Sequence, residues 1–195
     1  MIRVILLIIS AGLTVLATLP YLIDVVHKKT KPRIVSWFNW ALLGGIAGAA
    51  AIAARQYPAA TVSLAASLEC MLVVLFGLKL GDHKFEFFDI ACQAGAIFGL
   101  VLWIIFNSPL IAIIASVVID LIVSLPTLKH VWQKPHEETA ALFILSASGA
   151  AFALAAVHHP RISGLIVPVY LVVINLLMFG LFFMTPSRHK RTVIS

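Results

Sequence analysis

A chain of 195 residues that is 62% hydrophobic and only 11% charged has too little polar sequence to cover a water-soluble globule. Its solvent is lipid, and the net charge of +6 finds its explanation in membrane topology rather than in a nucleic-acid partner. A bilayer core about 30 Å thick needs roughly 20 apolar residues per helical crossing.

The first apolar run covers 4–26. Arg3 followed by apolar sequence to Ala17 has the outline of a secretory signal peptide, but the run continues through Pro20 to Val26. Ser10, Thr14, Thr18 and Tyr21 share one helical face here, and Pro20 removes an N–H donor near the end. The second run, 33–54, opens with Trp37 and Trp40 and turns small at Gly44, Gly45 and Gly48. Gly44 and Gly48 form a small-xxx-small pair that lets another helix approach, with an internal seam preferred over a dimer face. The third, 58–80, carries Glu69 at its centre. The fourth, 87–106, ends near Trp103, and Cys70 and Cys92 both fall inside spans without metal-ligand spacing.

The fifth run, 109–131, places Ser116, Asp120, Ser124 and Thr127 on one face, with Pro126 inside that stripe. The sixth, 139–157, has a small-residue stretch from Ser146 to Ala151 that is expected to serve packing within its own half. His158 and His159 follow in a short loop and lack the companions a metal site needs. The seventh, 162–184, contains Asn175 and no Lys, which excludes a retinal Schiff base. The Trp residues, Trp132 included, fall near the predicted surfaces, where an aromatic belt is expected. No zinc-protease helix, phosphate loop or nucleophile elbow is present, so no enzymatic reading and no cofactor follow.

Of the 14 Lys and Arg, one side holds Lys28, Lys29, Lys31, Arg33, Lys79, Lys84, Lys129, Lys134, Arg188, Lys190 and Arg191, and the other only Arg3, Arg55 and Arg161. The positive-inside rule then predicts the N-terminus outside and the C-terminus cytoplasmic.

An offset of 106 aligns Ser10 with Ser116, Thr14 with Asp120, Thr18 with Ser124 and Leu19-Pro20 with Leu125-Pro126. An offset of 103 aligns Phe76-Gly77-Leu78 with Phe179-Gly180-Leu181. The expected fold is an all-α membrane protein of seven transmembrane helices in one domain, 1–195. Repeat one is 1–80, the linker helix 87–106, repeat two 109–184 and the cytoplasmic tail 185–195, a 3+1+3 plan with parallel repeats.

A Pro near the end of the first helix, a basic loop and a second helix beginning at Ser36-Trp37 resemble the PQ-loop repeat, with Pro126 through Lys134-Pro135 to Thr139 as the second copy. The plan as a whole is similar to the SWEET sugar transporters. Tyr21 and Thr127 stand where the Gln of the Pro-Gln pair belongs. The resemblance implies a solute held by a Trp and an Asn from each repeat; Asn175 fits one such Asn, and Trp37 and Trp40 match in helix rather than in depth.

Mid-span carboxyls cost roughly 2.5–3.5 kcal/mol in insertion scales, and no Lys or Arg in the central turns of any span offsets Glu69 or Asp120. A polar stripe should point into the bundle, so the two stripes are expected to face each other across the pseudo-twofold axis. The expected function is therefore a small-solute transporter of the plasma membrane working by alternating access, with proton linkage open. Its site is expected to comprise Asp120, Glu69, Asn175 and Thr14, with Ser116, Ser124, Ser10 and Ser146 behind them. Pro20 and Pro126 are expected to be gate hinges. A sugar or small polyol is the cargo the resemblance implies, and a vitamin-like nucleoside is the next. The alternative is a non-transporting membrane protein, a receptor or assembly partner, whose carboxyls only join helices. Partners are the solute and lipid, with oligomeric state open.

Overall fold

The computed structural model describes residues 1–30, 32–81, 83, 87–135 and 138–184, the side chains of 88, 89 and 92 aside. Lys31, Lys84, the side chain of Cys92 and the tail 185–195 with Arg188, Lys190 and Arg191 therefore lie outside the description. The described residues form α-helices and no strand: α1 (Ile2–Val26), α2 (Ile34–Ala53), α3 (Tyr57–Gly77), α4 (Phe87–Phe106), α5 (Pro109–Gln133), α6 (Ala140–Ala155) and α7 (Ile162–Met184).

Five of them, α1, α2, α3, α5 and α7, are long and apolar enough to cross a membrane. In α4 the continuous apolar stretch that is described is Gln93–Phe106, and α6 has 16 residues, about 24 Å of helix. The expected run 139–157 is thus shortened, because Thr139 is extended and the helix closes at Ala155.

Turn chemistry explains the short connections. At the end of α1 the Lys28 N–H bonds the Val25 carbonyl and the Lys29 N–H the Asp24 carbonyl, with Lys28 left-handed at φ 58°. Arg55, at φ 57°, closes α2 in the same way through Ile52 and Ala51. Both are Schellman caps made without glycine. Pro58 and Pro109 occupy the first turns of α3 and α5, where the missing N–H is an orphan anyway.

The two repeat prolines act differently on their helices. In α1 regular helix is interrupted at Ala17, between Ile2–Leu16 and Thr18–Val26, and Pro20 has no N–H to offer the Leu16 carbonyl. In α5 Pro126 sits inside an uninterrupted helix.

In the bundle α3 lies between α1 and α2, and α7 between α5 and α6. Helix α1 packs along α6, α2 along α5, and α3 meets α7, while α4 lies outside against α5 and α2. A bond from Gln93 Nε2 to Asn39 Oδ1, 3.1 Å, ties α4 to α2. Exposed Ile97, Phe98, Ile104 and Ile105 on α4 and Ile2, Val4, Ile5 and Ile8 on α1 suit an apolar solvent. At the other rim the Arg3 guanidinium, followed by slight burial and His159, lowers the His158 imidazole from its ordinary value. The start of α1 and the loop before α7 therefore share one end of the bundle.

Small residues set the closest approaches. A Cβ on Gly44 would stand 3.0 Å from the Ser63 carbonyl and one on Gly48 2.6 Å from Leu64, so this pair serves the internal α2–α3 seam. Ser67 Oγ donates to the Ala41 carbonyl across it, at 2.6 Å. The Ser146–Ala151 stretch has a second neighbour as well. Gly149 faces Ser10 and Thr14, so this stretch also admits α1 to α6, beside its packing along α7. Among the described residues, a Cβ on Gly12 or Gly180 would meet nothing within 4 Å. Changing either to Ala is expected to leave the thermal midpoint unchanged or raise stability by up to about 1 kcal/mol, measured by detergent-phase unfolding.

Candidate functional site

Where the helices meet at mid-depth they leave a cavity of ≈ 130 Å³. That is space for several waters rather than one. Its walls come from six helices: Thr14 of α1, Trp37 and Trp40 of α2, Glu69 and Cys70 of α3, Ser116, Asp120 and Ser124 of α5, Ser146 of α6, and Tyr170 and Asn175 of α7. Most of the remaining lining is aliphatic, including Leu43, Val62, Val117 and Ile174.

Glu69, 5% exposed, accepts a bond from Ser146 Oγ at 3.1 Å to one carboxylate oxygen and 3.5 Å to the other, joining α3 to α6. Asp120 accepts from the Tyr170 hydroxyl and, at 3.5 Å, from Ser124 one turn along its own helix. Each carboxyl is therefore bonded across or along the bundle and opens on the same cavity.

Seven of the eight residues that the sequence nominates line this space: Asp120, Glu69, Asn175, Thr14, Ser116, Ser124 and Ser146. Ser10 does not. It is fully buried in the α1–α6 seam, where its carbonyl receives the Thr14 hydroxyl at 2.9 Å. Thr18 is likewise buried, so of the α1 stripe only Thr14 reaches the cavity. The α5 stripe lines open space and the α1 stripe is largely packed, because α1 turns its polar face into α6 and α3 instead of toward α5.

The aromatic-belt expectation fails for Trp37 and Trp40. Trp37 is 7% exposed, tilted against Tyr21 at 4.8 Å between ring centroids and edge-on to Trp40 at 5.3 Å. Both rings point into the bundle because that face of α2 meets α1 and α5 rather than lipid. Trp103 packs on a buried cluster that includes Val62, Ile113 and Val167, and Trp132 is exposed. Tyr170 escapes the sequence reading altogether. A tyrosine in the middle of an apolar helix carries a hydroxyl that must find a partner, and that is the signal that would have found it.

Toward the basic end a second chamber is lined by Tyr21, Arg33, Ser36, Thr127, His130, Glu138 and Pro126. Trp37, Trp40, Leu142 and Phe143 line both spaces and so form the partition between them. Beside it Thr139 Oγ1 donates to Asp24 at 2.8 Å, Lys29 stands 3.6 Å from the same carboxylate, and His130 lies 3.9 Å from Glu138. Pro126 thus flanks the chamber and Pro20 lies one residue before Tyr21, which also lines it.

Compared with protein-family models, with curated proteins and with solved structures, the chain matches none.

Proposed function

We propose that this chain is a small-solute carrier that works by alternating access across the plasma membrane, with N outside, C cytoplasmic and the solute held at mid-depth between two like-oriented halves. In this reading all seven helices cross, as two parallel three-helix units and a linker, after the PQ-loop and SWEET-like plan. The pattern of helix neighbours supports it: exchanging α1 with α5, α2 with α6 and α3 with α7 carries the α1–α6 seam onto α2–α5 and returns the α3–α7 contact to itself. Helix α4 stands outside that exchange.

The observation that carries the proposal is the cavity itself, walled by all six of those helices, with one carboxyl from each half. Buried carboxyls that served only to join helices would not need an open space between them. The second chamber gives this space a route toward the basic end, closed at the Trp37–Trp40 partition. Pro126 lines that chamber and Pro20 precedes Tyr21, which also lines it, and in this reading both are hinges of its gate.

Thiol labelling tests the reading. In a Cys70→Ala, Cys92→Ala background, Ser116→Cys and Ser146→Cys are expected to react with a membrane-impermeant thiosulfonate applied from the cytoplasmic face, while Ser10→Cys in its seam stays protected. Unreactive thiols at both cavity positions from both faces would mean a dry centre and favour a receptor or assembly partner.

A further inference from the structure

The polar groups of the cavity are not evenly divided between donors and acceptors. The Thr14 hydroxyl donates to the Ser10 carbonyl at 2.9 Å and the Ser63 hydroxyl to the Ala59 carbonyl at 2.7 Å. One Asn175 N–H goes to the Leu171 carbonyl at 2.9 Å. The Ser146, Ser124 and Tyr170 hydroxyls are committed to the two carboxyls. What these groups still present to the cavity is mainly acceptor capacity, from lone pairs on the hydroxyls, the Asn175 carbonyl oxygen and the carboxyl oxygens of Glu69 and Asp120, while the Ser116 hydroxyl and the second Asn175 N–H remain as donors. Among the described residues no Lys, Arg or His lines the cavity, and Trp37, Trp40, Phe143 and Tyr170 add aromatic rings to a largely aliphatic wall.

A sugar offers donors and acceptors in similar number and leaves such a wall poorly matched. An alkylammonium group offers only donors and a positive charge, both of which the carboxyls and the ring faces accept. Resting on the carrier reading above, we propose that the solute class is a small organic cation, an amine with an apolar body. Its ammonium lies between Glu69 and Asp120, and its body lies against Trp37, Trp40 and the aliphatic wall.

Two probes of one shape isolate the charge: 2-phenylethylamine, protonated at neutral pH, and 2-phenylethanol, its neutral counterpart, with glucose as the polyol control. Binding is measured on the purified full chain by thermal shift and by calorimetry. The amine is expected to bind at least about tenfold more tightly than the alcohol, since a hydrogen bond to a charged group is worth that much. Asp120→Asn is expected to lose that preference and Asp120→Glu to keep it, with Glu69→Gln read in parallel should either Asp120 variant fold poorly. Equal binding of amine and alcohol, a response to glucose alone, or no response to any of the three overturns the inference. If Ser116→Cys and Ser146→Cys are nonetheless labelled, the carrier reading survives that failure; unlabelled thiols sink both.

Discussion

Asp120→Asn is expected to cut solute movement in proteoliposomes by about tenfold or more while leaving the helix content and the elution profile of the protein intact. The substitution keeps the side chain's size and its ability to accept a bond from Tyr170, but removes the charge from the cavity wall. A charged contact in a water-poor site is worth about 1.5–3 kcal/mol, so transport at limiting solute should fall by about tenfold or more. Tyr170→Phe, which leaves Asp120 with only the long bond from Ser124, is expected to weaken transport less. Initial rates of counterflow measured for both variants check the order. Unchanged rates for Asp120→Asn would reduce this carboxyl to a link between α5 and α7.

Gly149→Ala is expected to cost about 1–3 kcal/mol, the usual range for overpacking, whereas Gly48→Ala should cost less than about 1 kcal/mol. The glycines look alike in sequence, and the difference lies in what each one faces. A methyl on Gly149 would stand 2.9 Å from the Ser10 carbonyl and 3.1 Å from the Thr14 amide, and backbone cannot turn aside, so α1 must move off α6. A methyl on Gly48 meets chiefly the Leu64 side chain, which can change rotamer. Thermal unfolding of the two variants in the same detergent gives the comparison. Because the Gly149 seam joins α6 to α1, its variant should also loosen Thr14 at the cavity edge.

Much of this molecule is legible from composition and period. Long apolar runs bounded by Lys, Pro and Gly place the helices to within a few residues, because lipid leaves a spanning backbone little choice but to satisfy itself internally. Glu69 and Asp120 stand out for the same reason: a carboxyl at that depth is costly unless protein receives it. The short length of α6 is less legible, since an apolar run does not say where the helix within it stops.

Rotation about each helix axis is another matter. Period relates a residue to its neighbours on one helix and says nothing of which neighbouring helix that face meets. Hence the stripes of α1 and α5, aligned residue for residue, part company: Asp120 and Ser124 face open space while Ser10 and Thr18 are packed into a seam. Trp37 and Trp40 turn inward to partition two chambers, and Tyr170 arrives opposite Asp120 from 50 residues away. Those choices belong to close packing among seven helices, where the fit of Gly149 against α1 or Gly44 against α3 sets each rotation, and they are absent from any single helix read alone.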